Sequence, residues 1–85
     1  MAVERKVIYN DELVRIVLVR GEGEIPEHTH ENETEIVIPV RGEVTVVIEG
    51  REFKQPLQTP LRIEPGTRHS ARIKGEGIAI FVKKE

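Results

Sequence analysis

The sequence predicts an all-β fold, an antiparallel barrel or sandwich of about nine short strands, on three observations. Short runs rich in Val and Ile recur at even spacing, most of them alternating apolar and polar. Gly- and Pro-containing turn signals separate the runs. No stretch shows the apolar period of an amphipathic helix of useful length. With 85 residues, positions 1–85 form a single domain. The aromatic residues are Tyr9, Phe53 and Phe81, so the core must be built from Val, Ile and Leu, a β-favouring set.

Residues 2–9 alternate loosely, with Val3, Val7 and Tyr9 on one side, and Asn10-Asp11 is a turn pair. In residues 12–20, Val14, Ile16 and Leu18 share one face; Val17 and Val19 share the other with Arg15. Gly21-Glu22-Gly23 breaks that run. No helix follows it, so Gly-x-Gly is not a nucleotide loop here. Residues 24–30 are extended, and Pro26 belongs on an edge or bend. After the acidic loop Glu31-Asn32-Glu33, residues 34–40 form a strand whose Pro39 requires an edge or a bulge. Arg41-Gly42 and Glu49-Gly50 are expected to turn the chain into strands 43–49 and 51–55. Residues 56–60, with two prolines, cannot be helix or central strand. Leu61-Arg62-Ile63 is a short strand, and Glu64-Pro65-Gly66-Thr67 has the signature of a type II turn. Residues 68–74 place His69, Ala71 and Ile73 on one face. Lys74-Gly75-Glu76-Gly77 is expected to turn into a last strand, 78–83.

Composition narrows the function classes. Net charge is −2 with both signs interspersed, and no basic stripe or aromatic platform suggests nucleic acid. No apolar run is long enough for a signal peptide or a membrane span, so the sequon Asn32-Glu33-Thr34 reads as chance. Abundant Glu, Lys and Arg, with no cysteine, suggest a heat-adapted cytoplasmic protein. A chain this short without disulfides gains from a bound metal or a dimer interface. Strands 12–20 and 34–40 are apolar on both faces, which predicts a homodimer.

All three histidines and one glutamate form a constellation. His28 and His30 are i and i+2 on an extended segment, so their rings leave the same face. Glu35 follows after four residues, on the next strand. His69 heads an apolar face and points inward. A His-x-His pair alone is commonplace on surfaces; the conjunction with Glu35 and His69 points to one metal site. Three neutral imidazoles and a carboxylate suit a divalent transition metal such as Mn, Fe, Ni or Zn. Four protein ligands leave two octahedral positions open to water, a small-molecule substrate or dioxygen. Val37, Pro39, Ile63, Ala71 and Ile73 are candidates to line the pocket, and Glu31 and Glu33 could sit at its mouth. No Lys or Arg can be placed inside the barrel. No Ser-His-Asp set stands out, so no catalytic residue beyond the metal ligands is identified.

The string from Gly23 to Gly42 resembles the first motif of the cupin family, its local form especially similar to germin-like cupins. Gly23 or Gly21 leads, His28-Thr29-His30 follows, then four residues to Glu35 and six more to Gly42. The second motif is matched by Gly66, two residues, and His69. Glu64 stands where that motif has its first Pro, Ile73 where it has Asn, and Thr59-Pro60 replaces its usual Gly-Asp. The resemblance implies a small single-domain cupin: a double-stranded β-helix or jelly-roll barrel, commonly dimeric. His28, His30, Glu35 and His69 would be its ligands. A metal-dependent enzyme of oxygenase, oxidase or isomerase type, acting on a small molecule, is one expectation. A non-catalytic metal- or ligand-binding module is the other, and a barrel whose four side chains only bond one another is a third.

Overall fold

Three long strands carry the barrel. The computed structural model describes residues 2–84. In chain order the strands are β1 (Val3–Asn10), β2 (Val14–His28), β3 (Glu33–Ile48), β4 (Arg51–Gln55), β5 (Leu61–Ile63) and β6 (His69–Lys83). They are hydrogen-bonded in the order β1-β2-β6-β3-β4, with β5 pairing β3 as well. Every pairing is antiparallel. The first half of β2 and of β3 pairs with the second half of β6, and β1 and β5 flank this layer. The second half of β2 and of β3 pairs with the first half of β6, and β4 flanks that layer. Each long strand thus crosses from one layer to the other, the jelly-roll arrangement that the cupin resemblance implies.

The strand count differs from expectation for one physical reason. Gly21-Glu22-Gly23, Arg41-Gly42 and Lys74-Gly75-Glu76-Gly77 are bends within strands, and ladder pairing runs through all three. Nine expected segments therefore become six strands. At the bend Gly75 lies opposite both Gly21 and Gly42, so three glycines form one row across β2, β6 and β3. Gly42 has φ +78° and Gly75 φ +145°. A Cβ on Gly42 would run into the Lys74 carbonyl oxygen, and one on Gly75 into that of Arg41. The corner needs residues with no side chain and freedom at positive φ.

The true turns fall where the sequence puts them. Glu49 and Gly50, both at positive φ, make the two-residue β3–β4 hairpin closed by the pair Ile48 and Arg51. Gly66 at φ +78° and a 3.3 Å bond from Thr67 N–H to the Glu64 carbonyl complete the turn before β6. Asp11 Oδ1 accepts from the N–H groups of Leu13 and Val14, each at 2.8 Å, which fixes the β1–β2 turn. Pro39 sits at a bulge, with the β3–β6 register shifting between Pro39 and Arg41. A second bulge, between Ile25 and His28, accommodates Pro26.

The core lies between the layers. Val17, Val19, Ala79 and Phe81 face it from one layer; Val44, Val46 and Ile73 face it from the other. Phe81 is 1% exposed, and burying a side chain of this size contributes about 1.5–3 kcal/mol. The outer faces of the two layers differ in kind. Ile16 lies beside Ile80 and Ile80 beside Ile36; Leu18, Ile78 and Ile38 form the next row. These six alternate with core residues and are half-buried. Outside the second layer, Glu22, Lys74 and Glu43 form one row, and Glu24, Arg72, Thr45 and Lys54 form another.

Candidate metal centre

His28 is the last residue of β2 and His69 the first of β6, and the two are directly opposed in the ladder. Both face the interior, on the row that continues to Ile48 of β3. Glu35 faces it from the opposite layer, opposite Phe81 and Ile63 in register. His30 lies just beyond the end of β2, in the loop that carries the chain across to β3. It was expected on a strand beside His28. The bulge at Pro26 and the end of the strand instead bring its ring over from the loop. The Gly66 N–H donates to the His30 carbonyl at 2.9 Å, tying the turn before β6 to this loop.

The four side chains converge. One ligand atom from each of His28, His30, Glu35 and His69 lies within 4.8 Å of every other. His28 Nε2 is 3.0 Å from His30 Nε2, and His69 Nε2 is 3.0 Å from Glu35 Oε1. His30 Nε2 is 3.5 Å from the same Glu35 oxygen. Donors about 2.1 Å from one ion stand about 3 Å apart at right angles and about 4 Å apart across it. The cluster has that spacing, so the residues present fit a metal ion.

Ring orientation also suits ligation. His28 Nδ1 is 2.7 Å from the Pro26 carbonyl oxygen, and His69 Nδ1 is 2.8 Å from that of Thr67. A carbonyl only accepts, so each Nδ1 carries a proton and each Nε2 faces inward; His69 Nε2 holds a proton as well when it bonds the Glu35 carboxylate, and a metal ion would take that proton's place. Among the described residues, His30 has no such carbonyl. Its Nδ1 points toward Glu33 Oε1 at 3.8 Å.

Burial and charge set the protonation states. Glu35 at 9% exposure and His69 at 4% are the buried polar residues among those described, and they bond each other. Burial pushes the His69 pKa down, but the bonds to Glu35 and the Thr67 carbonyl, with the Glu35 charge, outweigh it, and the net direction is up. Burial pushes the His30 pKa down, and the attraction of Glu35 does not restore it. A small cavity, about 50 Å³, opens beside His28, Glu35 and His69. Val37, Ile63, Ala71 and Ile73 help line it, as expected. Pro39, also proposed for the lining, is fully buried but lies outside this wall.

The sequence alone left the barrel's basic residues unplaced. An arginine does sit on the inner face: Arg15 lies in register with Phe81 and Glu35 at the mouth of the barrel. Its guanidinium stacks 4.3 Å from the Phe81 ring centroid and bonds Glu33 through Nη1 at 2.7 Å and Nη2 at 3.2 Å. Alternation with Val17 and Val19 was the available signal. A charged side chain on an otherwise apolar face reads as outward-pointing until its partner is known. Glu31, the other mouth candidate, is exposed and accepts a bond from Thr29 at 3.3 Å.

The cupin domain family model matches residues 14–82. Among solved structures, the chain is similar to KdgF from Halomonas sp., with TM-score 0.85, 20% identity, and coverage of 98% of this chain and 82% of that one. It is also similar to an RmlC-like cupin from Shewanella frigidimarina, with TM-score 0.84, 18% identity, and coverage of 98% and 78%. A cupin superfamily protein from Desulfitobacterium hafniense gives TM-score 0.81 at 14% identity, covering 99% and 79%. At these identities the likeness speaks for the fold alone. No curated protein matches.

Proposed function

We propose, from the premise that this chain belongs to the cupin family, that it is a metal-dependent protein acting on a small molecule at His28, His30, Glu35 and His69. The carrying observation is the set of four donors within 4.8 Å, with two of the three imidazoles already turned Nε2-inward by backbone carbonyls. His28, His30 and His69 would bind through neutral Nε2, and Glu35 would lower the charge of the site. A divalent Mn, Fe, Ni or Zn ion suits this set. Bound there, such an ion supplies Lewis-acid or redox chemistry at the positions the protein leaves open. The largely apolar wall that includes Val37, Ile63, Ala71 and Ile73, around a cavity of about 50 Å³, suits a small ligand. Oxygenase, oxidase or isomerase chemistry fits these features. Oxygen uptake by metal-loaded protein, read across a panel of small acids and phenols, tests turnover; activity with one member is expected.

One observation favours a second reading, a binding module without turnover. Arg15 and Glu33, the charged pair nearest the ligands, are committed to each other. Silence across the panel with metal bound would select that reading over catalysis.

A cytoplasmic homodimer in a heat-adapted cell is the proposed setting. The apolar outer rows of Ile16, Ile36, Ile38, Ile78, Ile80 and Leu18 would form the dimer face. Sedimentation of wild type and Ile38→Lys checks it: a dimer that becomes a monomer is expected, and a monomeric wild type contradicts it.

A further inference from the structure

His28 and His69 each have a fixed acceptor for Nδ1–H, and His30 has none within hydrogen-bond distance among the described residues. His28 Nε2 and His30 Nε2 stand 3.0 Å apart. A neutral imidazole that ligates through Nε2 carries its proton on Nδ1, so each ligating ring needs an acceptor on its outer side. The carboxylate that faces His30 Nδ1 is that of Glu33, with Oε1 3.8 Å away.

We propose that Glu33, held in place by Arg15, is the positioning carboxylate of His30: it accepts the Nδ1–H and turns Nε2 toward the metal. The inference rests on the metal reading above. Glu33 is itself tightly placed. Arg15 grips both of its oxygens, and Oε1 faces both Arg15 Nη2 and His30 Nδ1. Arg15 is fixed in turn by stacking on Phe81, whose ring the His30 imidazole meets edge-on at 5.0 Å between centroids. These residues stand on β2, β3 and β6, so the support is strand-borne even though His30 is in a loop. Arg15 also draws charge from Glu33, which keeps the carboxylate from becoming a fifth ligand. A metal-bound imidazole whose outer nitrogen donates to a carboxylate is fixed in tautomer and made more basic, and loss of such a partner weakens metal affinity about 10- to 100-fold.

The test compares zinc affinity, by competition with a chromophoric chelator, and the melting temperature of chelated protein. Glu33→Ala should weaken zinc binding about tenfold or more. Glu33→Gln, which keeps an acceptor oxygen but not the ion pair, should recover part of that loss. Arg15→Ala should weaken binding less than Glu33→Ala, and the double variant no more than Glu33→Ala alone. A merely structural ion pair would lower the melting temperature of all three single variants and leave zinc affinity untouched; that result overturns the proposal. Should the variants fail to fold, the zinc-loaded wild type decides by nitrogen NMR. His30 coordinated through Nε2 with a slowly exchanging Nδ1–H is expected, and coordination through Nδ1 or a freely exchanging proton overturns it. Wild type that binds no zinc would instead defeat the metal reading itself, and this inference with it.

Discussion

At one end of the barrel, β2, β6 and β3 bring Gly21, Gly75 and Gly42 into one row; at the other, the first two of these strands set His28 opposite His69. The glycine row works by what it lacks. Any side chain on Gly42 or Gly75 would strike a neighbouring carbonyl, and the strands could not bend from one layer into the other. The histidine row works by what it carries. It buries polar atoms that a hydrophobic core would do without, and keeps them bonded to one another. The corner serves stability, the mouth gathers the groups that could hold a metal, and about five residues of the same strands separate them. The account therefore expects substitutions at the two ends to have separable consequences.

The largest effect on folding belongs to the corner. Gly42→Ala should cost about 3–4 kcal/mol, because positive φ and the collision with Lys74 act together. Urea unfolding of chelated protein measures it, and the folded fraction should bind metal as tightly as wild type. A variant that keeps its stability but loses its metal would reverse the roles assigned to the two ends. Metal removal comes next. Free metal at a hundred times Kd stabilises by about 2.7 kcal/mol, so chelation should lower the melting temperature by roughly 10 °C or more for a domain of this size. Chelated Gly42→Ala should melt lower still.

A smaller effect comes from pH. His69 has its pKa raised above 6.5, so on acidification it takes up its proton before an ordinary imidazole and competes with metal. The melting difference between loaded and chelated protein should therefore shrink as pH falls through the region just above 6.5 and vanish well below it. In chelated protein the two shifts oppose each other. The His69 contribution is present below 6.5 and is lost as pH rises through its raised pKa. His30, with its pKa lowered, favours unfolding as pH falls below 6.5 toward that value. Chelated protein should thus be most stable near pH 6.5 and lose stability on either side, whereas the metal's added stability only falls as pH drops. Smallest of all, Arg62→Ala removes an exposed, solvent-screened pair with Glu64 and should leave both the unfolding midpoint and metal affinity unmoved.

Much of this was legible in the residues. Alternation put Val17 and Val19 together on one face and Ala71 and Ile73 with His69 on an inward one, and parity and spacing pointed to His28, Glu35 and His69 as neighbours; His30 reaches them from the loop, which parity did not report. The bends were not legible, because a glycine at positive φ serves equally well in a hairpin turn and at a strand corner. Nothing in Arg41-Gly42 or Lys74-Gly75 records that the ladder continues past them. The link from Arg15 through Glu33 to His30 was hidden for a related reason. It joins β2, β3 and the loop between them through side-chain reach, which alternation along a single strand does not report.

Metal content of protein purified without a nickel column tests the central claim most directly, with wild type, His30→Ala and Thr29→Ala measured side by side by elemental analysis. The account predicts one ion per chain in wild type and in Thr29→Ala, and none held stoichiometrically by His30→Ala. Full metal content in His30→Ala would contradict it.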